Sequence, residues 1–325
     1  MAILDFFSTF FNDKNKKNCN LLSSLVFDCN DKVFLCPYSS NFLIDEKYNG
    51  LWLDIEKLLE KRTNYLSNLD LLKQCEICKF KQVSNHTDFS YFQTLHLSNW
   101  KYCYLNCLYC NAPKEEDLVK AKHYDIYNTI FQLVDKGLVN KKTKIIFESG
   151  DATVHPEFDK IMYYFINNEM ENIVINTPAM RFCESIAEAI SKNMCEVVVS
   201  FDSGCPYIYE KVKGQNKFDI AISNIKRYLE FQLPSEKRVV LKYTLINGVN
   251  DNQKELLDWF ILSRDLGVKK LAVDIEDKWF EQVQFSTPQY LKELLLFIKS
   301  MSEYNNFEIE FSKKIDIIYD AIKEN

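Results

Sequence analysis

The sequence has no run of apolar residues long enough to span a bilayer, and it has no surplus of basic charge. Its 40 Lys and Arg against 46 Asp and Glu leave a formal net charge of −6, so nucleic acid is not the default partner. The Phe-rich stretch Met1–Phe11 is broken by Asp5 and preceded by no basic region. It therefore fits neither a secretory signal nor a spanning helix, and it is expected to be a packing helix, with membrane contact the lesser alternative. No internal repeat and no low-complexity linker interrupts the chain. The four histidines, His86, His96, His123 and His155, form no ligand spacing. What the chain does have is a core and sulfur. Hydrophobic residues make up 47% and aromatics 14% of 325 residues, which supports one large domain, or a large and a small one. Eleven cysteines, an odd number without a secretory signal, read as metal ligands in a reducing cytoplasm rather than as a disulfide framework.

Three of those cysteines stand at spacing C-x3-C-x2-C: Cys103, Cys107 and Cys110. A loop this short can turn three thiolates towards one point, where soft ligands hold zinc or an iron–sulfur cluster. Three is one too few to close a tetrahedral zinc site, and one too few to cap every iron of a 4Fe–4S cube. An open position points to a reactive metal. A zinc knuckle completed by His96 or His123 is the alternative at this point. The first 85 residues hold Cys19, Cys29, Cys36, Cys75 and Cys78. Cys75-x2-Cys78 with distant upstream cysteines is the form of a metal site assembled from separated loops. Cys19, Cys36, Cys75 and Cys78 would close four sulfurs around a cluster or zinc. Cys29 either replaces Cys19 or is a small buried residue. The segment Asn30–Cys36 reads as a hairpin, and about Leu51–Lys61 as a helix.

From about Phe89 the pattern alternates strand and helix. Strands are predicted at Phe92–Ser98, Lys144–Gly150, Asn172–Thr177, Cys195–Asp202, Arg238–Ile246 and Val268–Glu276. Helices are predicted at His123–Lys136, Glu157–Asn168, Cys183–Asn193, Phe218–Phe231 and Gln253–Leu266. The tail adds a helix at Pro288–Met301, a short strand near Phe307–Phe311 and a final helix from Lys313. Near-continuous apolar strands between amphipathic helices argue for a parallel sheet covered by helices. Six units predict an α/β fold, a partial (β/α)6 TIM-like barrel. Barrels carry their chemistry at the C-terminal strand ends. There stand Glu148–Asp151, Asn176 and Thr177, Ser200 and Asp202, Lys242 and Thr244, and Asp274 and Glu276. Paired positions of equal parity share a face, so these groups are expected to ring one cavity. Cys183 and Cys195 are expected in the core.

In order along the chain, these motifs resemble the radical S-adenosylmethionine (SAM) superfamily. Cys103-x3-Cys107-x2-Cys110, with Tyr109 before the last cysteine, matches its cluster motif. Ser149-Gly150-Asp151-Ala152 looks like a divergent Gly-Gly-Glu-Pro turn. Val199–Gly204, Val212-Lys213-Gly214 and Leu245–Asp251 resemble later regions of the same barrel. The resemblance covers about residues 90–280. The N-terminal segment is similar to the SPASM or twitch auxiliary-cluster region, here placed before the barrel. The resemblance implies two domains: residues 1–85 with an auxiliary 4Fe–4S cluster, and residues 86–325, a radical SAM barrel with a helical tail. It implies a 4Fe–4S cluster whose open iron binds SAM. An electron donor such as flavodoxin or ferredoxin is implied, with a small-molecule or peptide substrate. Ser149, Gly150 and Asp151 would hold the methionyl ammonium, with Asp151 in place of the usual Glu. Tyr109 would lie near the adenine, Ser200 near the ribose, and Asn176 and Lys242 near methionyl or ribose polar groups. Lys242 pairing with Glu148 is the structural alternative. Cys205, just past the fourth strand, is a candidate hydrogen-atom donor to a substrate radical. The implied activity is hydrogen abstraction from a sugar or sugar-linked metabolite. Peptide or protein maturation is the second reading, and a non-catalytic metal scaffold the third.

Overall fold

The computed structural model describes residues 18–28, 32–37, 39–45, 53–67, 78, 83–84, 90–110 and 126–323. The expected N-terminal packing helix, with Cys29, Cys75, His86 and His123, lies outside them. The chain divides into two units, residues 1–102 with 115–174, and residues 103–114 with 175–325.

The first unit holds β1 (Asn18–Cys19), β2 (Ser24–Phe27), β3 (Val33–Phe34), β4 (Leu43–Asp45), β5 (Val83–Ser84), β6 (Thr94–Leu97) and β7 (Lys144–Phe147). Its helices are α1 (Ile55–Ser67), α2 (Ile126–Asp135) and α3 (Phe158–Asn167). Strands β1 and β5 form an antiparallel ribbon of their own. The other five pair in the order β4-β3-β2-β6-β7. The pairs β2–β6 and β6–β7 are parallel, and β3 and β4 add antiparallel at the edge. All four side chains of β2 are buried, as in a strand covered on both faces. Buried Arg62 of α1 reaches the Ser23 hydroxyl and the Tyr91 carbonyl, with its guanidinium 4.4 Å from the Phe92 ring centre. The N-terminal segment thus contributes strands to the same sheet as β6, and the units do not divide at residue 85.

Strand β8 (Ile173–Thr177) lies where the two units divide. The second unit continues with α4 (Glu184–Ser191), β9 (Cys195–Ser200), α5 (Pro206–Lys213), α6 (Phe218–Phe231), β10 (Val239–Leu245), α7 (Gln253–Leu266), β11 (Lys270–Ile275), α8 (Asp277–Val283), α9 (Gln289–Tyr304), β12 (Glu308–Phe311) and α10 (Lys313–Lys323). Strands β9 to β12 are parallel and adjacent in chain order. Along β10 the residues Val239, Leu241, Tyr243 and Leu245 are fully buried, and Tyr243 packs on Trp259 of α7 at 4.9 Å. The opposite face carries Lys242 and Thr244, with Thr244 in register with Asp274 of β11. Asn252 caps α7 by accepting from the Glu255 N–H at 3.0 Å, a bond to an otherwise orphaned donor. Cys183 and Cys195 are buried.

The six predicted strands and the tail elements are present. The second strand stops at Phe147 rather than Gly150, because Ser149 and Gly150 adopt left-handed backbone (φ +70° and +58°). Helices α5 and α8, eight and seven residues long, are too short to announce themselves by periodicity. Among the described residues no helix is long and apolar enough to cross a membrane.

Candidate metal centre

Cys103, Cys107 and Cys110 lie in the second unit, the first two half-buried and the third exposed. What holds their loop is the C-terminal end of α5. The last carbonyls of a helix have no donor within it. Here the Asn106 N–H donates to the Lys213 carbonyl at 3.0 Å and the Leu108 N–H to the Val212 carbonyl at 2.8 Å. Gln215 donates to the Tyr104 carbonyl at 2.6 Å. Gly214 ends the helix at φ +70°, and a Cβ there would lie 2.4 Å from the Asn106 oxygen. Only glycine allows that approach.

Beneath the loop lies a buried polar network. The Tyr109 hydroxyl donates to Asp202 at 2.5 Å, and the Lys213 ammonium pairs with the same carboxylate oxygen. Lys213 and Asp202 are 1% and 0% exposed. The second Asp202 oxygen accepts from the Thr244 N–H at 2.6 Å, and its backbone carbonyl accepts from Asn250. Asp202 sits at φ +61°, so it leaves the alternation of β9 and turns into this network. Burial pulls the Lys213 ammonium pKa down, but Asp202 overrides that and holds it well above the usual lysine value. Burial, aided by Asp202, pushes the Tyr109 phenol well up. The sequence had flagged Val212-Lys213-Gly214 and the strand-end Asp202, but nothing in it joined them. Tyr109 has its hydroxyl engaged by Asp202, whatever its ring faces. The Cys107 thiol is pushed up by burial, with Lys213 opposing.

The turn Ser149-Gly150-Asp151 belongs to the first unit. A Cβ on Gly150 would come within 2.6 Å of the Trp100 and Tyr102 carbonyl oxygens. The Asp151 N–H donates to Tyr102 at 2.7 Å. The turn is thus fixed against the three residues that lead into Cys103. Ser149 is exposed, but Asp151 is fully buried. Its Oδ1 accepts from the Thr153 hydroxyl and N–H and caps the short helix Ala152–Val154. At its surface the turn presents Ser149 and backbone, with Asp151 beneath and its Oδ2 outside the cap.

Lys242 pairs with Asp274 at 3.0 Å rather than with Glu148. Glu148 instead lies 2.6 Å from His96 Nδ1 and accepts from Ser98 at 3.1 Å. Lys314 is 3.1 Å from the other Asp274 oxygen. Glu276 leaves the strand-end set and caps α8 by accepting from the Trp279 N–H. Asn176 and Ser200 are half-buried. The Cys205 thiol faces Glu255 of α7 at 3.6 Å, and neighbouring Gly204 abuts Trp259 and Asp258. Of the expected auxiliary ligands, Cys36 is buried, Cys78 is half-buried, and the side chain of Cys19 lies outside the described residues.

Among the described residues no three His, Cys, Asp or Glu side chains converge on a single-ion site. In a 4Fe–4S cube each thiolate binds its own iron, so the sulfurs stand farther apart than around one ion. Three thiols on one glycine-anchored loop fit that wider group. Residues 100–260 match the model of the Radical SAM superfamily, and the chain belongs to that superfamily, whose members use a 4Fe–4S cluster and SAM. The GTP 3′,8-cyclase of Clostridium botulinum is 24% identical over 154 residues, 46% of this chain and 47% of the relative. The chain thus spans about half the length of that curated relative. Among solved structures, Streptococcus suis SuiB bound to its precursor peptide SuiA aligns with TM-score 0.50 and 15% identity, over 82% of this chain and 56% of the other. The anSMEcpe structure with bound AdoMet aligns with TM-score 0.50 and 14% identity, over 67% and 63%. The fold class is the one these structures share: α/β with a mostly parallel sheet.

Proposed function

We propose that this chain is a radical SAM enzyme that abstracts a hydrogen atom from a sugar-linked metabolite, a nucleotide included. The observation that carries the reading is the cysteine loop held at the C-terminal end of α5, on glycine and backbone rather than on side chains alone. With SAM and one electron, the cluster supplies a 5′-deoxyadenosyl radical and methionine. The chain's own work is to bind, orient and exclude water. Cys103, Cys107 and Cys110 hold three irons. Ser149, Gly150 and Asp151 receive the methionyl ammonium. Ser200, Asn176 and the partly exposed Lys242 offer polar groups to the ribose or methionyl part, and the Tyr109 ring offers a face to the adenine. A nucleotide or other sugar-linked substrate is supported by the curated relative, whose name gives it GTP. Cys19, Cys36, Cys75 and Cys78 are assigned to an auxiliary cluster, as sequence resemblance alone implies. Flavodoxin or ferredoxin is the assigned class of reductant.

A peptide substrate is the second reading, favoured by the alignment with SuiB in complex with a peptide. The test is anaerobic reconstitution and reduction with dithionite, followed by 5′-deoxyadenosine release. Wild type is expected to form it, and the variant with Cys103, Cys107 and Cys110 all replaced by Ala is not. Formation of 5′-deoxyadenosine should rise with a nucleotide or sugar-nucleotide panel. A rise with peptides alone overturns the substrate class while leaving the reaction class standing.

A further inference from the structure

Tyr209 lies on α5 three and four residues before Val212 and Lys213, whose carbonyls carry the cysteine loop. Positions so spaced share one helix face, and Tyr209, Val212 and Lys213 are the buried residues of this helix. The tyrosine itself is fully buried. Its ring packs against Phe201 at 5.0 Å and Phe218 at 5.6 Å, which fixes the plane and the direction of the C–O bond. At the end of that bond the hydroxyl has no hydrogen-bond partner among the described residues. A buried hydroxyl without a partner is rare and calls for a reason. Apolar rings on its flanks would have been served as well by phenylalanine. Burial pushes its pKa up so that it keeps its proton, and the charges that act on it are those of Lys213, Cys107, Asp202 and Cys103.

We propose that the Tyr209 hydroxyl donates a hydrogen bond to a sulfur of the bound cluster, a Cys103 or Cys107 thiolate or a bridging sulfide, and thereby sets the cluster's reduction potential. The inference rests on the radical SAM reading of the three-cysteine loop. Reduction adds negative charge to the sulfurs, so a donor there stabilises the reduced form and raises the potential. The hydroxyl waits without a protein partner because its acceptor arrives with the metal. The Leu105 N–H already donates to the Cys103 sulfur at 3.4 Å; of the polar side chains beneath the loop, Tyr109 donates to Asp202, and Lys213 pairs with the same carboxylate.

Tyr209→Phe removes the oxygen and nothing else. Three measurements decide the matter. In the metal-free protein the variant should unfold at the same urea midpoint as wild type, because no protein hydrogen bond is lost. After anaerobic reconstitution both proteins should hold equal iron at the three-cysteine site. The redox titration, read by electron paramagnetic resonance, should then move to lower potential in the variant. A tenfold loss in the reduction equilibrium, about 59 mV for one electron, is the scale expected. The reduced wild-type cluster should also show a coupled exchangeable proton that the variant lacks. An unchanged potential with equal iron overturns the inference alone. A lower urea midpoint of the metal-free variant overturns it too, since the hydroxyl would then serve the fold. A wild-type protein that takes up no cluster overturns the underlying reading together with it.

Discussion

At Asp274 two lysines converge on one carboxylate, Lys242 at 3.0 Å and Lys314 at 3.1 Å. Burial alone would raise its pKa, yet the two ammonium groups outweigh burial and bring it to about 2. A depressed carboxylate contributes stability that is fully present above its unfolded pKa near 4 and is lost as pH falls through about 2. The difference corresponds to about 2 kcal/mol. Asp274→Asn should therefore unfold about 2 kcal/mol more easily than wild type at pH 6, and the gap should narrow below pH 4 and close near pH 2. Urea titrations at several pH values read this directly, and a gap constant with pH would refute the assignment. Residues such as Asp274 were legible as strand-end polar groups because parity in a strand is strict. Their partners were not, since Lys242 had equal claim on Glu148 until tertiary placement gave Glu148 to His96. Asp151 shows the same limit. A carboxylate after a glycine turn suits a ligand or a helix cap equally, and the Thr153 hydroxyl two residues on takes up one of its two oxygens as a cap.

Helix α5 is the element on which the cysteine loop depends, and it was the element least visible in the sequence. Eight residues opened by Pro206 give barely two turns, too few for an apolar period to repeat. By contrast, α6 and α7 occur over the residues their spacing predicts, because fourteen residues show the stripe clearly. The strongest test at this scale is Gly214→Ala. A methyl group 2.4 Å from the Asn106 oxygen, on a backbone at φ +70°, costs about 2–4 kcal/mol if the site stays put. The loop is the softer partner, so it is expected to move. Iron bound at Cys103, Cys107 and Cys110 should fall severalfold, while circular dichroism of the metal-free protein should stay near wild type. Full iron uptake in this variant would show that the loop is held otherwise. Cys205 also belongs at this scale. It stands at the N-cap position of α5, without a side-chain cap bond, and its thiol faces Glu255 of α7.

At the scale of the molecule, the parallel strands from β6 onward were legible because such strands are written as apolar runs. The N-terminal segment was not, since β2 is four residues long and pairs with β6 about seventy positions away. Whether that segment also carries a cluster is a matter of iron. Reconstituted wild type is expected to hold about eight irons if both sites take a cube, and replacing Cys75 and Cys78 by Ala should remove about half. Four irons with one zinc would instead make the N-terminal site a structural staple. The anchoring of the loop has a consequence for synthesis as well. Tyr109 and Lys213 are 104 residues apart in the chain. At roughly 5–20 residues per second, about 5–20 s pass on the ribosome between the emergence of the thiols and that of their support. During that interval the cysteines are free to oxidise or to meet the wrong ion. The yield of competent protein from cells should therefore depend on oxygen during expression, and not only during purification.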